Sequence, residues 1–293
     1  MNNIAERGFM YANWKIDTIL AILKEAGAIA LAESAHLTPE LKPDHSIVTA
    51  ADKKIEEMLA VHFDRPECGS YLIGEESVES KSEEELAQAL RSPCCYIVDP
   101  IDGTAPYAIG LPVWGCSIGL MENGVLTEGA IYQPVPDVAY VTCRGTVWVA
   151  RGLQTDAPEV LPLDPVKLPW SPAYPLGISA KGAKHWELDF RNQVFAWACC
   201  LGDYAALLGG KLLGSFHVAK LWDIAGGFPL LRNAGFVIRY QDGSDFDFDI
   251  VRSGAFYLAP GENRWYHANT VVIAPDADIA EKIWNGIHIT EKK

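Results

Sequence analysis

The chain has 293 residues and carries 24 Lys+Arg against 38 Asp+Glu, a formal net charge of −14. With 49% hydrophobic and 21% charged residues it has the balance of a globular chain, long enough for one large domain or two ordinary ones. The acidic balance argues against a nucleic-acid partner, and the absence of any apolar run of about 18 residues argues against a membrane span.

The opening segment, MNNIAERGFMYANW, has no positive stretch followed by an apolar one, so no secretory signal is expected. Ile16, Ile19, Leu20, Leu23 and Leu31 recur at helical spacing and predict a helix over 15–35. The stretch 37–46 holds two prolines and reads as loop. Thr49 with Asp52 three residues on is a capping-box pattern that opens a helix towards Phe63. Tyr71-Leu-Ile-Gly74 is a short buried strand ending at Glu75-Glu76, and Ser82 with Glu85 starts the next helix. Cys95 to Asp99 reads as a strand stopped by Pro100.

Four strands follow at 114–121, 126–132, 138–142 and 146–150, separated by turn residues such as Asn123-Gly124 and Arg144-Gly145, which predicts antiparallel pairing. Six prolines between Pro158 and Pro175 exclude a helix or a central strand. Beyond them strands are expected at 176–179, 215–218, 236–240 and 270–274, with helices at 196–209, 223–233 and 276–286. The tract Asp242 to Asp249, alternating Asp and Phe, reads as an edge strand with an acidic outer face. The aromatic set Trp170, Trp186, Trp197, Trp265 and Tyr266 is assigned to the core. Helices and strands mix irregularly, so the fold class is α+β or α/β, layered. The expected organisation is an N-terminal half over 1–155, a Pro-rich connection over 156–175 and a C-terminal half over 176–293. Seven cysteines, an odd number with two vicinal pairs and no CxxC spacing, form neither a disulfide framework nor a zinc pattern. A reducing, cytoplasmic compartment is expected.

The chemistry concentrates in carboxylates at element ends. In Val98-Asp99-Pro-Ile-Asp-Gly-Thr104, two carboxylates and the carbonyl of Ile101 offer hard oxygen ligands suited to Mg²⁺ or Ca²⁺. Gly103 and Thr104 add N–H groups and a hydroxyl for an anion. An Asp-Pro turn followed by an Asp cap would read the same way. Glu75 alone would be a solvated turn residue, Asp223 a helix cap and Asp52 a capping-box partner. Together, Glu75, Asp99, Asp102 and Asp223 could converge as an all-oxygen site for two Mg²⁺ ions about 3.5–4 Å apart, the arrangement that clamps the attacking and leaving oxygens in phosphoryl hydrolysis.

Four blocks, Val48-Thr-Ala-Ala-Asp52, Ile73-Gly-Glu-Glu-Ser77, Asp99-Pro-Ile-Asp-Gly-Thr104 and Trp222-Asp-Ile-Ala-Gly-Gly227, occur in the order found in the inositol monophosphatase family, which the chain resembles over roughly 15–284. The resemblance implies an αβαβα sandwich of the sugar-phosphatase type with two large mixed or antiparallel sheets. It implies a lithium-sensitive phosphatase acting on a small phosphorylated metabolite (a polyol, sugar or amino-alcohol phosphate) by metal-activated water. Inositol phosphate, histidinol phosphate, fructose bisphosphate and phosphoadenosine phosphate are the substrates to choose among, with a non-catalytic metal-binding relative as the other alternative.

By position, Glu75, Asp99 and the Ile101 carbonyl would hold a first Mg²⁺, Asp99, Asp102 and Asp223 a second, and Glu75 a third, weaker ion with Asp52 nearby. Gly103 and Thr104 would receive the phosphate, and Thr104 with Glu75 would polarise the attacking water. Asp102, Cys199, His217 and Lys220 are placed towards the substrate. His217 would otherwise be a satisfied core histidine and Lys220 a solvated loop lysine. Family members are commonly homodimers. The sequence departs from the family at Ala105-Pro-Tyr107 and Ala198-Cys-Cys-Leu-Gly-Asp203. Phe216 stands where inositol enzymes place a hydroxyl-reading Glu, which moves weight away from inositol monophosphate.

Overall fold

The computed structural model describes residues 14–36, 39–41 and 47–289. Helix α1 (Ile16–Glu33) buries Ile19, Leu20, Leu23, Ala26 and Ala30 along one stripe. A two-residue pair, β1 (Glu40–Leu41) with β2 (Ile47–Val48), falls inside the predicted 37–46 loop and at its edge. Residues 37–38 and 42–46 of that loop lie outside the described residues. Helix α2 (Ala50–Phe63) starts at the predicted capping box: Asp52 Oδ2 accepts the Thr49 N–H at 2.8 Å and the Thr49 hydroxyl at 2.6 Å.

The large sheet has seven strands in spatial order β3 to β9: β3 (Ser70–Gly74), β4 (Cys94–Asp102), β5 (Gly115–Glu122), β6 (Val125–Gln133), β7 (Val138–Cys143), β8 (Thr146–Arg151) and β9 (Glu159–Pro162). Between β3 and β4 runs α3 (Glu83–Arg91), and after β4 the short α4 (Thr104–Ala108). Strand β3 is parallel to β4, and every later neighbour is antiparallel. Strand β9 lies within the Pro-rich connection, at the sheet edge, where proline is tolerated.

A second, five-stranded sheet runs in the order β12-β10-β13-β15-β14, built from β10 (Leu176–Ile178), β12 (Val194–Phe195), β13 (Gly214–His217), β14 (Val237–Arg239) and β15 (Val271–Ala274). Helix α5 (Ala180–His185) and β11 (Trp186–Leu188) follow β10, and β11 pairs with the last strand, β16 (Ile287–Ile289).

Helices α6 (Cys200–Leu208), α7 (Leu221–Ala225) and α8 (Gly227–Asn233) pack between the two sheets. Helices α1 and α2 cover the outer face of the seven-stranded sheet, and α9 (Ala277–Asn285) packs on the five-stranded one. The layers are therefore helix, sheet, helix, sheet, helix, as expected. Alternation on β4 serves two cores: Cys95 and Ile97 face the inner helices, while Cys94, Tyr96 and Val98 face α1 and α2.

The structure corrects several local expectations. Pro100 does not end its strand, because the register slips by one residue between Asp99 and Asp102 and this bulge needs no N–H from the proline. The 196–209 helix starts only at Cys200, since Ala198 has φ 53° and Cys199 is extended. The 223–233 helix is two helices meeting at Gly226; Pro229 has no N–H to continue the ladder to Ala225. The Asp242 to Asp249 tract is not a strand: Asp242 and Asp247 each accept the backbone N–H two residues on, as in turns, and Phe246 turns into the core. Of the aromatic set, Trp265 is buried, whereas Trp170 is exposed and Tyr266 lines the cavity described next.

Candidate active site

A cavity of about 490 Å³ opens where the ends of β3 and β4 meet the start of α7. Glu75, Asp99, Ile101, Asp102, Gly103, Thr104, Cys199, His217, Lys220 and Asp223 all line it. Of the residues given catalytic, metal-binding or substrate roles from sequence, Asp52 alone stands behind its wall, reaching it through Thr104.

Asp99 continues the inner face of β4. The bulge then returns Asp102 to that same face, so two aspartates three residues apart reach one cavity. Gly103, at φ 91°, makes the left-handed turn that starts α4 with Thr104. Thr104 Oγ1 lies 3.0 Å from the Ile101 carbonyl and 3.3 Å from Asp52 Oδ1. Asp223 is not the cap residue of α7 but its third residue, and its Oδ2 accepts the Lys220 N–H at 2.7 Å.

Asp102 ties the end of β4 to α6, 98 residues further along the chain. Its oxygens accept the N–H groups of Cys200 and Leu201, the first two residues of α6. Cys199 caps the same helix through its sulfur, which accepts the Gly202 N–H at 3.2 Å, and it packs against Gly103. His217 is buried, with Nε2 3.0 Å from Ser215 Oγ and 3.3 Å from Asp203 Oδ2, and Nδ1 3.6 Å from Cys200 Sγ. Burial pulls it down to about 3, so it is a neutral imidazole.

Two placements were not foreseen. Glu56, on α2 and 4% exposed, accepts the N–H groups of Glu76 and Ser77, both at 2.8 Å, and so fixes the turn that presents Glu75. A side chain on Gly74 would run into that carboxylate. The available signal was its position one helical turn after Asp52 on the same face. The other is Phe216. It is fully buried against Trp186 and Phe190 and lines no part of the cavity, because β13 alternates and Ser215 and His217 take the other side. The reading of Phe216 as a substitute for a substrate-reading Glu is therefore wrong in this structure.

The carboxylates strain against one another. Burial, then Glu75, Asp102 and Asp223, push Asp99 well above the usual carboxylate range. Burial and Asp223 raise Asp102 despite the two α6 N–H groups, and burial and Glu75 raise Asp223 to about 7. Asp99 Oδ1 is buried without a hydrogen-bond partner. Among the described residues no three His, Cys, Asp or Glu side chains are already closed into a metal cage. An orphaned carboxylate oxygen, acids that raise each other, and an all-oxygen lining are nevertheless the chemistry of a hard-cation site, where positive charge would remove the repulsion.

The inositol monophosphatase family model matches residues 15–288. The chain belongs to the inositol monophosphatase family. Members are phosphatases, so it is a phosphoric monoester hydrolase. Among its relatives are an inositol-1-monophosphatase of Mesorhizobium japonicum, 27% identical over 76% of this chain and 82% of that protein, and a histidinol-phosphatase of Streptomyces coelicolor, 34% identical over 45% of each. A staphylococcal IMPase-I complexed with products has the same fold, with a TM-score of 0.65 at 19% identity over 94% of this chain and 97% of that one. An IMPase/NADP phosphatase complexed with Mg²⁺ and phosphate gives 0.66 at 20% identity, with the same coverage. No helix among the described residues is long and apolar enough to cross a membrane.

Proposed function

We propose that this phosphatase hydrolyses a small polyol, sugar or amino-alcohol phosphate with Mg²⁺ as cofactor. The observation that carries the reading is the meeting of Glu75, Asp99, Asp102, Asp223 and Thr104 in one cavity. Glu75, Asp99 and the Ile101 carbonyl would hold one ion, Asp99, Asp102 and Asp223 a second, and Glu75 would touch a third. Bound there, Mg²⁺ supplies an acidified water and neutralises phosphate charge.

The chain's own groups do the rest. Gly103 and Thr104 offer N–H groups to phosphate oxygens. Thr104 orients the attacking water and can pass its proton to Asp52, whose other oxygen is locked by the Thr49 cap. Glu56 holds Glu75 in place. Asp102 is steadied by α6, leaving its remaining lone pairs for metal.

Both histidinol-phosphatase and inositol-monophosphatase relatives support the substrate range. A fructose bisphosphate or a phosphoadenosine phosphate fits the same chemistry. We place the enzyme in a reducing, cytoplasmic compartment because all seven thiols are unpaired. We also propose a homodimer, and a division into halves at 156–175 with Asp223 brought by the second half. The test is phosphate release from a panel of esters with Mg²⁺, with EDTA, and with Mg²⁺ plus lithium. Turnover that requires Mg²⁺ and falls with lithium is expected. Metal binding without turnover on any ester would make the chain a non-catalytic relative.

A further inference from the structure

Residues 255–268 fold back on themselves as a hairpin. The Trp265 N–H donates to the Tyr257 carbonyl at 2.7 Å, the Tyr257 N–H to the Tyr266 carbonyl at 3.0 Å, and the Ala268 N–H to the Ala255 carbonyl at 2.7 Å. The returning arm runs antiparallel to 219–221, the lead-in to α7. The Leu221 N–H donates to the Trp265 carbonyl and the His267 N–H to the Ala219 carbonyl, both at 2.9 Å. Between these two bonds lies Lys220, whose own N–H holds Asp223. Of the four carboxylates that converge on the cavity, Glu75, Asp99 and Asp102 stand at the ends of β3 and β4, and Asp223 alone comes from elsewhere. The hairpin backs that one.

Its tip is clamped to the body that carries the other three. Arg264 donates to both oxygens of Glu83, the first residue of α3, at 2.5 and 2.9 Å. Its Nε donates to the Leu258 carbonyl at 3.1 Å, across the hairpin. Helix α3 packs on β3 and β4. A bidentate fork of this kind fixes orientation as well as charge. The next residue, Trp265, is buried in the left-handed region at φ 70°, which is costly for a bulky side chain and persists only where the surroundings impose it. Its ring lies between the Arg264 guanidinium, 4.9 Å from the ring centre, and the Trp222 ring, 6.1 Å away. Trp222 immediately precedes Asp223.

We propose that Arg264 is a positioning residue: by clamping the hairpin to α3 it fixes Asp223 against Glu75, Asp99 and Asp102, and so sets how tightly the cavity takes Mg²⁺. This rests on the proposed Mg²⁺ reading of the cavity and deepens it. Glu83 is exposed, so the ion pair adds little to global stability. Its effect falls on the spacing of the carboxylates instead, where small displacements matter.

The experiment is a calorimetric titration of the metal-free protein with Mg²⁺, alongside its melting temperature in EDTA. Arg264→Ala should weaken Mg²⁺ binding about fivefold, less than the loss of a group that touches a ligand directly. Arg264→Lys should fall between the variant and wild type, because a single ammonium cannot reproduce the fork. Glu83→Gln, at an exposed helix start, should match Arg264→Ala and serves in its place if that variant does not fold. The double variant should be no worse than either single one, since all three remove the same contact. Mg²⁺ affinity unchanged in Arg264→Ala and Glu83→Gln, with or without a lower melting temperature, overturns the positioning role and leaves the Mg²⁺ reading intact. Losses that simply add in the double variant overturn it too. A wild-type protein that binds no Mg²⁺ overturns the metal reading and this role with it.

Discussion

Thr104 on α4 and Asp52 on α2 meet across 52 residues of chain, with Thr104 Oγ1 3.3 Å from Asp52 Oδ1. The hydroxyl also lies 3.0 Å from the Ile101 carbonyl, which can accept only its hydrogen bond, so Asp52 is the one acceptor to which the hydroxyl can pass a proton while it takes one from the attacking water. A positioned proton carrier of this kind contributes about 10²–10⁴-fold to rate. Thr104→Ala should lose about 10²-fold in kcat, while Thr104→Ser should keep most of it. Equal losses in both variants would show that the hydroxyl is not what matters.

Asp99 is the most heavily opposed acid of the cavity, with burial and four carboxylates acting on it. Asp99→Asn should abolish turnover. It should also raise the melting temperature of the metal-free protein by a few degrees, since relief of about 1 kcal/mol moves a domain of this size by about 2–4 °C. The Mg²⁺-induced rise in melting temperature should shrink at the same time. A variant that stayed active, or melted lower without metal, would contradict the placement of Asp99 at the centre.

Stability should depend on pH through the same acids. In the unfolded chain they ionise near pH 4, whereas Asp223 in the folded, metal-free chain ionises at about 7. Between these values the folded state holds more protons than the unfolded one, so raising the pH from 4 to 7 costs stability. His217 and His267, pulled down by burial to about 3 and about 4, act the other way, favouring the folded state as pH rises. Asp223→Asn removes one of these raised acids and leaves both histidines in place. In urea titrations without metal, the variant should lose less stability than wild type between pH 5 and 7. Parallel curves would refute the assignment.

Glu56 should matter for catalysis although it touches neither metal site nor cavity. Glu56→Ala strands two backbone N–H groups and frees the turn that carries Glu75. The expected costs are about 1–3 kcal/mol of stability and about tenfold weaker Mg²⁺ activation. A Mg²⁺ titration separates the two, because a purely structural role would leave the half-saturating concentration unchanged.

Phe216→Glu should unfold the protein and not broaden its substrates. Phe216 is fully buried between Trp186 and Phe190, where a carboxylate would have no partner. The expected result is a loss of several degrees in melting temperature. Gain of activity on inositol monophosphate would mean that β13 presents its other face to the cavity.

The layered architecture was legible in the sequence because period and punctuation agreed. The Asn123-Gly124 and Arg144-Gly145 turns, the Thr49-Asp52 box and the apolar stripe of α1 all mark elements present in the structure. Glu75, Asp99 and Asp102 were legible because each stands at a strand end beside glycine or proline, whereas Asp223, between Trp222 and Ile224, was marked only by the block it belongs to. What failed depended on contacts between distant segments. Pro100 fits inside a strand only because β5 lets the register slip. Which face Phe216 takes is decided by the packing of Trp186 and Phe190.

The clasp between Asp102 and the first turn of α6 also sets the order in which the molecule can become competent. A chain released from the ribosome only as far as β9 would carry the phosphate cradle but nothing to grip Asp102. One that stopped before α7 would have the grip but lack Asp223. With the proposed ligand set, hydrolysis would therefore be withheld until late in synthesis, when α7 delivers Asp223. A chain that stopped short of α7 would then lack phosphatase activity.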